Sequence, residues 1–427
     1  MIGNPNEPGV TANVDSAPSV SADGPSAGTP LIVGSADLTD GLANPNEVYS
    51  VEDSVQAQNL FGKSSRLTQN VLDARGRGAG VVLAVAPAET TVTQDISGLG
   101  STSGVIDTPA KEGVDEITVT VDNTEKTVEY YLTDVANESV EADHVYINPT
   151  DDSFELDAAP STSGTIEYTE LDYSAALNAA ETYTGEVDFV TTLKERSSIT
   201  TELLSTANSM ESEYQFVLAV AGLRAPVDAD AFTNSYDTSR LQLLAGVRTV
   251  EFGSVLGAYV GLRAELGLTA TPINQRIPLR SRPAQGLGKT DRATLIEKSV
   301  TPLDRIGESV RVADDLTTVS DDNSEESNYR YGFSRLAVDF LLETVNDLER
   351  PFVGKFNSPG VIGQLEDLLN EGARPLNNSN IIYEHDATVT MIDPTTARVT
   401  FQADVAEPIR FIQNDFVIGN NLELQNE

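Results

Sequence analysis

Residues 387–412 read ATVTMIDPTTARVTFQADVAEPIRFI. Ala387, Val389 and Met391 alternate with threonine and isoleucine, a period of two that predicts a strand with one buried face. Asp393-Pro394 supplies a turn. Val399, Phe401, Ala403 and Val405 then alternate again, and Ile409 to Ile412 starts a third strand. Immediately upstream the period is helical. In residues 331–348, Leu336, Phe340, Leu341, Val345 and Leu348 form one apolar stripe, and Pro351 ends it. A second, shorter helix is expected over 359–369, with Pro359 at its start and Gly372 just past its end. Helix, helix, strand, strand, strand describes an α+β unit in which the helices cover the apolar face of the sheet.

Further upstream, residues 172–270 alternate helix and strand. Helices are expected over 173–182, 198–210 and 255–266, the last carrying the small residues Gly257, Ala258 and Gly261. Strands are expected over 187–191, 214–221 and 241–247. Phe216 to Val220 is apolar on both faces, as a strand inside a parallel sheet must be. These elements form a doubly wound α/β unit. Its first strands lie earlier, at Pro30-Leu31-Ile32-Val33-Gly34 and Gly80 to Val85, with a helix over 67–74 between them. Residues 96–171 interrupt this pattern. Short alternating runs at 117–121, 128–132 and 145–147, with Asp122-Asn123 and Asp151-Asp152 at turns, predict an inserted all-β sandwich.

Many weak matches fall in one order along this chain. They begin with Pro8-Gly9-Val10, the strand at 30–34, the segment 44–51, Leu60-Phe61-Gly62 and the strand at 80–85. Pro302-Leu303-Asp304-Arg305-Ile306, Val310-Arg311-Val312 and Asp315 to Thr318 follow. Then come Phe352 and Asn357 after the long helix, Gly372-Ala373, and Val405 to Ile412. Taken together they resemble the contractile tail sheath proteins of phages, archaeal viruses and related contractile injection systems. The resemblance implies a subtilisin-like α/β topology without the enzyme, an inserted β-sandwich facing outward, and a C-terminal sheath domain. It also implies N- and C-terminal arms that pair with neighbouring subunits in a helical homo-oligomer. Expected intersubunit residues are Pro8, Gly9, Val10 and Val14 at one end, and Phe411, Phe416, Val417 and Ile418 at the other.

Composition bounds the rest. The 427 residues hold 66 acidic and 27 basic side chains, a net charge of -39, with only seven lysines. Such a surface suits a halophilic setting, because at ~1 M salt the Debye length is about 3 Å and carboxylates scarcely repel one another. The same charge disfavours nucleic acid as a partner. No apolar run reaches membrane-spanning length, so no membrane insertion is expected. The first ten residues lack the basic start and apolar core of a signal peptide. There is no cysteine, so disulfides, thiol catalysis and Cys-based metal sites are excluded. Against the acidic background, the segment 272–289 stands out as an irregular loop with Arg276, Arg280, Arg282 and Lys289 and no acid. It is expected to meet an acidic face of a neighbouring subunit or of the inner tube.

Catalytic patterns are missing. Gly286-Leu287-Gly288-Lys289-Thr290 resembles the end of a phosphate-binding loop, but Pro283 stands where the motif needs glycine. A Ser-His-Asp triad would have to use His144 or His385, and both fall in predicted strands. The acidic clusters lack the spacing of a calcium loop. The expectation is therefore a non-enzymatic structural protein with no cofactor and no metal. The sheath resemblance implies as partners copies of itself, an inner tail tube protein, and baseplate and tail terminator proteins. It also implies a place in a virion tail assembled in the host cytoplasm, and a virus of a halophilic archaeon is the expected source. The alternatives are the sheath of a cell-encoded injection system, or an α/β hydrolase or nucleotide-binding enzyme with a β-domain insertion. The expected divisions are an arm at 1–29, α/β core at 30–95, inserted unit at 96–171, α/β unit at 172–328, C-terminal unit at 329–419 and an arm at 420–427.

Overall fold

A computed structural model describes residues 28–112, 116–132, 138–249, 253–278, 285–307, 309–320, 322–323, 326–355, 358–378, 381–393 and 395–405. In chain order the first elements are β1 (Pro30–Val33), β2 (Tyr49–Val51), α1 (Ser54–Phe61), α2 (Arg66–Gly76) and β3 (Val82–Val85). An all-β stretch follows: β4 (Ala88–Asp95), β5 (Ser103–Val105), β6 (Ile117–Val121), β7 (Thr124–Tyr130), β8 (His144–Ile147), β9 (Ser153–Leu156) and β10 (Gly164–Asp172). Then come α3 (Tyr173–Glu181), β11 (Phe189–Thr192), α4 (Ser197–Ser212), β12 (Leu218–Gly222), β13 (Leu241–Ala245), α5 (Leu256–Leu266) and β14 (Arg276–Pro278). The chain continues through α6 (Lys289–Glu297), β15 (Thr301–Ile306), β16 (Ser309–Val312), α7 (Gly332–Glu349), α8 (Pro359–Asn378), β17 (Ile382–Asp393) and β18 (Thr396–Val405).

Nine strands form one sheet in the order β14-β16-β15-β13-β12-β11-β1-β3-β2. The six strands from β15 to β3 are mutually parallel. Apolar residues line both faces of this sheet. Ile32, Val82, Leu218 and Val220 pack under α2 and α5 on one side, and Leu31, Val190, Ala219 and Leu243 under α3 and α4 on the other. This is why these strands read as unbroken apolar runs. The small residues predicted in α5 have a direct use. A Cβ added at Gly257 would lie 2.3 Å from the Asn70 carbonyl oxygen, and one at Gly261 would lie 2.3 Å from that of Ala74. Glycine lets α2 and α5 touch backbone to backbone.

The inserted strands join in a seven-stranded sheet, β4-β10-β6-β7-β8-β9-β5, around its own core of Ile106, Val119, Val145, Phe154 and Ile166. Its edges approach one another, because the Gln94 side chain on β4 bonds the Val105 carbonyl and the Asp107 amide beside β5. The sheet starts at Ala88, ahead of the expected Ile96. In Ala88–Asp95 only Val92 is a large apolar residue, so alternation did not show.

Two further expectations are corrected. The second C-terminal helix does not stop near residue 369; α8 runs 20 residues to Asn378. Gly372 lies inside it, where a Cβ would meet Leu348 of α7 at 2.5 Å, so this glycine serves helix packing and not termination. The segment 272–289 is not wholly irregular either. Arg276 to Pro278 pairs with β16, and Lys289 opens α6. The expected third strand at 409–412 lies outside the described residues.

Candidate functional site

In an open parallel sheet the order of strands reverses at one point, and ligands bind outside the carboxyl ends there. Here the reversal falls between β1 and β11. Ser35 follows β1; Leu193, Lys194 and Glu195 follow β11; Arg248 follows β13. An enzyme of this architecture would keep its substrate in this crevice. In this chain the inserted sheet fills it. Glu112 takes both terminal nitrogens of Arg248, at 2.8 and 3.2 Å, while Glu195 bonds the same guanidinium from the other side. Lys194 Nζ donates to Asp152 Oδ1 at 2.6 Å and to the Pro149 and Ala110 carbonyls. Arg196 reaches the Ile106 and Asp107 carbonyls. Across the same junction Arg224 pairs with Asp151 at 2.7 Å, and Asn148 donates to the Ala225 carbonyl. The remaining void, beside Ser35, Asn70 and Tyr173, is about 10 Å³, about the room one water needs.

The ions of this clasp compensate one another. Burial pushes the Glu112 carboxyl up, but Arg248, Lys194 and Arg66 outweigh it and its pKa ends lowered. Burial works against the Arg248 charge, yet Glu112 and Glu195 reverse that and raise its pKa. Glu195 is pushed up by burial; its Oε1 has no partner among the described residues. The arrangement fastens the two sheets together.

The second candidate surface is the C-terminal hairpin. β17 and β18 pair antiparallel, with Ala387 opposite Phe401 and Val389 opposite Val399. These residues pack on Leu365 and Leu369 of α8 and on Val345 and Leu348 of α7. The opposite face carries Thr388 beside Thr400 and Thr390 beside Arg398, and is exposed. The two edges differ. Along β17, Asn370 of α8 bonds the amide and carbonyl of Ala387, Glu366 accepts from the Val389 amide, and Asn377 donates to the Tyr383 carbonyl. A helix thus covers that edge, one of the ways sheets avoid unwanted pairing. Among the described residues nothing pairs with the outer edge of β18.

The amino-terminal residues leave the core at a fixed place. The Gly28 amide bonds the Ala264 carbonyl at 2.9 Å, and the Thr29 amide bonds Asp188 Oδ2 at 2.6 Å. A crevice beside them is walled by Phe189, Phe216, Leu268, Leu336 and Phe340. Burial raises the Asp188 pKa, the Thr29 amide opposes this, and Glu186 and Asp339 add to it, leaving it at about 6.

Of the residues expected to act between subunits, Arg276 lies exposed at the sheet edge. Pro8, Gly9, Val10, Val14, Arg280, Arg282, Phe411, Phe416, Val417 and Ile418 lie outside the described residues. His144 and His385 both stand in strands, as predicted. Gly288 caps α6 and its amide donates to the Asp291 carboxylate, so the helix start beside Lys289 already has an anion. The clasp was not foreseen. Arg248 and Glu112 are 136 residues apart, and no local pattern links them.

No protein-family model and no curated protein matches this sequence. Solved structures do. The helical sheath of the anti-feeding prophage in its contracted state is 13% identical with a TM-score of 0.61, covering 96% of this chain and 98% of that one. The contracted sheath complex of an extracellular contractile injection system, PVC, is 10% identical with a TM-score of 0.60, covering 98% and 99%. The sheath tail protein from Listeria innocua is 13% identical with a TM-score of 0.54, covering 90% and 96%. The chain therefore has the fold of tail sheath proteins.

Proposed function

We propose that this chain is the structural sheath subunit of a contractile tail. Copies stack as rings around an inner tube, and contraction of the stack drives the tube through a host envelope. The observation that carries this reading is a fold shared with sheath subunits over nearly the full length of both chains. The filled crevice at the strand-order reversal supports it, since an α/β enzyme would hold its substrate there. The uncovered β18 edge supports it as well, because an open edge is a site for strands from other chains.

In this reading the nine-stranded sheet is the subtilisin-like unit, the inserted sheet is the outward-facing β-sandwich, and residues 1–29 and 420–427 supply the arms. The energy of contraction is stored at assembly, so no nucleotide is consumed. The tube, baseplate and tail terminator are the remaining partners. The acidity points to a virus of a halophilic archaeon, with assembly in the host cytoplasm and residence in the virion tail. A cell-encoded injection system is the second reading, favoured by the alignment with the anti-feeding prophage and PVC sheaths.

Electron microscopy of the purified chain in molar salt tests the proposal. Hollow tubes or stacked rings are expected. Discrete small particles, with turnover of a substrate, would overturn it in favour of an enzyme.

A further inference from the structure

The nine-stranded sheet ends on a cationic edge. Arg276 of β14 stands directly opposite Arg311 of β16, with Asp304 of β15 next in the same row. Asp304 already serves two cations, Arg311 and Arg292. Among the described residues no carboxylate pairs with Arg276, which is exposed. Like charges directly opposite on a sheet are destabilising, so an anion brought to this edge relieves a cost. The island is local: residues 272–312 hold eight basic and four acidic side chains, within a chain of net -39.

The inserted unit has the opposite character. Residues 88–172 hold 20 acidic side chains and two lysines. Both lysines are sunk between carboxylates of their own unit. Lys111 lies 3.0 Å from Glu89 and 3.1 Å from Glu116; Lys126 lies 3.1 Å from Asp143 and 2.9 Å from Asp157. No exposed cation remains on the described residues of this unit. The acidity has a direction as well. β7 and β8 run parallel, Thr127 opposite His144, and the far end of β8 leads to Asn148, which is bonded to the Ala225 carbonyl of the core. The starting ends of both strands therefore point away from the core, and there Glu125, Glu141 and Asp143 are exposed. Among the described residues, no hydrogen bond or ion pair joins this tip to the cationic edge of the same chain.

We propose that the two surfaces meet between copies: the cationic edge at Arg276 of one subunit receives the acidic tip at Glu125, Glu141 and Asp143 of the next. The inference rests on the sheath reading, which brings copies side by side. A contact between two different patches of one chain is heterologous, and repeated it generates an open helical array. A second copy is favoured over nucleic acid because each copy carries both the cationic edge and the acidic tip, and the sheath reading already sets copies side by side. At ~1 M salt only groups in direct contact still attract, so the contact sets register between neighbours more than overall affinity.

Because the chain has no cysteine, single thiols report cleanly. Arg276→Cys and Glu125→Cys subunits, co-assembled and treated with a short bis-maleimide, should give a covalent dimer in the mixture and not in either variant alone. In parallel, Arg276→Glu should lower tube yield about tenfold, and Glu125→Lys with Glu141→Lys should do the same; joined in one chain they should restore yield to within about threefold. Circular dichroism checks that each variant is folded. Normal tubes from Arg276→Glu, no recovery in the combined variant, or no cross-link in the mixture would overturn the contact while leaving the sheath reading in place. So would loss of binding to added nucleic acid or tube protein as the only defect of Arg276→Glu. If the unaltered chain forms no polymer at all, both readings fall.

Discussion

Glu112 of the inserted sheet and Arg248 of the α/β sheet form a two-pronged ion pair at 2.8 and 3.2 Å in the crevice where strand order reverses. The Arg248 side chain is only 2% exposed and also carries Glu195. Removing one member of a buried set leaves the others uncompensated and costs about 3–5 kcal/mol. Arg248→Ala strands two carboxylates and should destabilise the folded subunit by that order. Glu112→Gln should cost less, because Glu195 still neutralises Arg248. Chemical unfolding of the unassembled subunit measures both, and equal stability of Arg248→Ala and the unaltered chain would refute the clasp.

The glycines of α5 provide a contrast with little chemistry in it. Gly261→Ala places a methyl against the Ala74 carbonyl, backbone that cannot swing aside. It should cost about 1–3 kcal/mol or more, as overpacking does. Gly372→Ala meets only the end of the Leu348 side chain, which can change rotamer, so its cost should be smaller. Gly76→Ala, at the end of α2 with nothing within 4 Å, should be near neutral. Thermal unfolding of the three variants should rank them in that order.

These cases show where sequence carries information. The parallel strands were legible because burial on both faces demands unbroken apolar runs, as at Leu218 to Ala221. The hairpin was legible because Val389 and Phe401 keep a period of two on one buried face. Gly372 misled because a glycine looks the same whether it ends a helix or admits a neighbouring leucine. β4 and the Arg248 clasp were hidden for a related reason: both depend on residues supplied from far along the chain, Asp172 to Thr165 in one case and Glu112 in the other. The difference between the two hairpin edges was hidden too, since Asn370 and Glu366 read simply as polar positions of an amphipathic helix.

Asp188 links stability to pH. Its folded pKa of about 6 lies above the ordinary carboxylate value. The folded chain therefore holds this proton more tightly than the unfolded one. Stability is greatest below the unfolded pKa and falls as pH rises toward the folded value. Asp188→Asn keeps an oxygen for the Thr29 amide and removes the charge. It should stabilise the chain by about 1–2 kcal/mol at pH 7–8, with the difference vanishing near pH 4. Unfolding curves at three pH values decide this, and a gain that is the same at every pH would dismiss the linkage.

Salt should act on the outer surface more than on the clasp. With a net charge of -39, lowering salt from ~1 M to ~0.1 M lengthens the Debye length from about 3 to about 10 Å and restores repulsion among exposed carboxylates. Dialysis should lower the melting temperature and dissociate assemblies. Circular dichroism and light scattering follow the two effects, and melting and particle size that ignore salt would remove the halophilic reading.

The last prediction concerns the hairpin edges. The backbone groups of Ala387 and Val389 are taken by Asn370 and Glu366 of α8, so a strand from another copy cannot add along β17 without displacing a helix. β18 has no such cover among the described residues, and its chain runs directly into residues 406–427. Arms that link subunits should therefore build outward from β18, with alternate side chains setting their register. Two changes separate this from general disruption. Replacing Phe401, on the inner face, should destabilise the subunit itself. Replacing Ala397, which is exposed and keeps the amide register of Val399 and Phe401, by proline removes an edge donor of β18, which should leave the subunit folded but reduce assembly. Deleting residues 1–20 should likewise give a folded, soluble subunit that does not polymerise, because an added strand would be lost while the anchor at Gly28 and Thr29 stays intact. Circular dichroism reports folding and electron microscopy reports tubes. Normal tubes from both the proline variant and the truncation would show that neither the β18 edge nor the amino-terminal arm holds the sheath together.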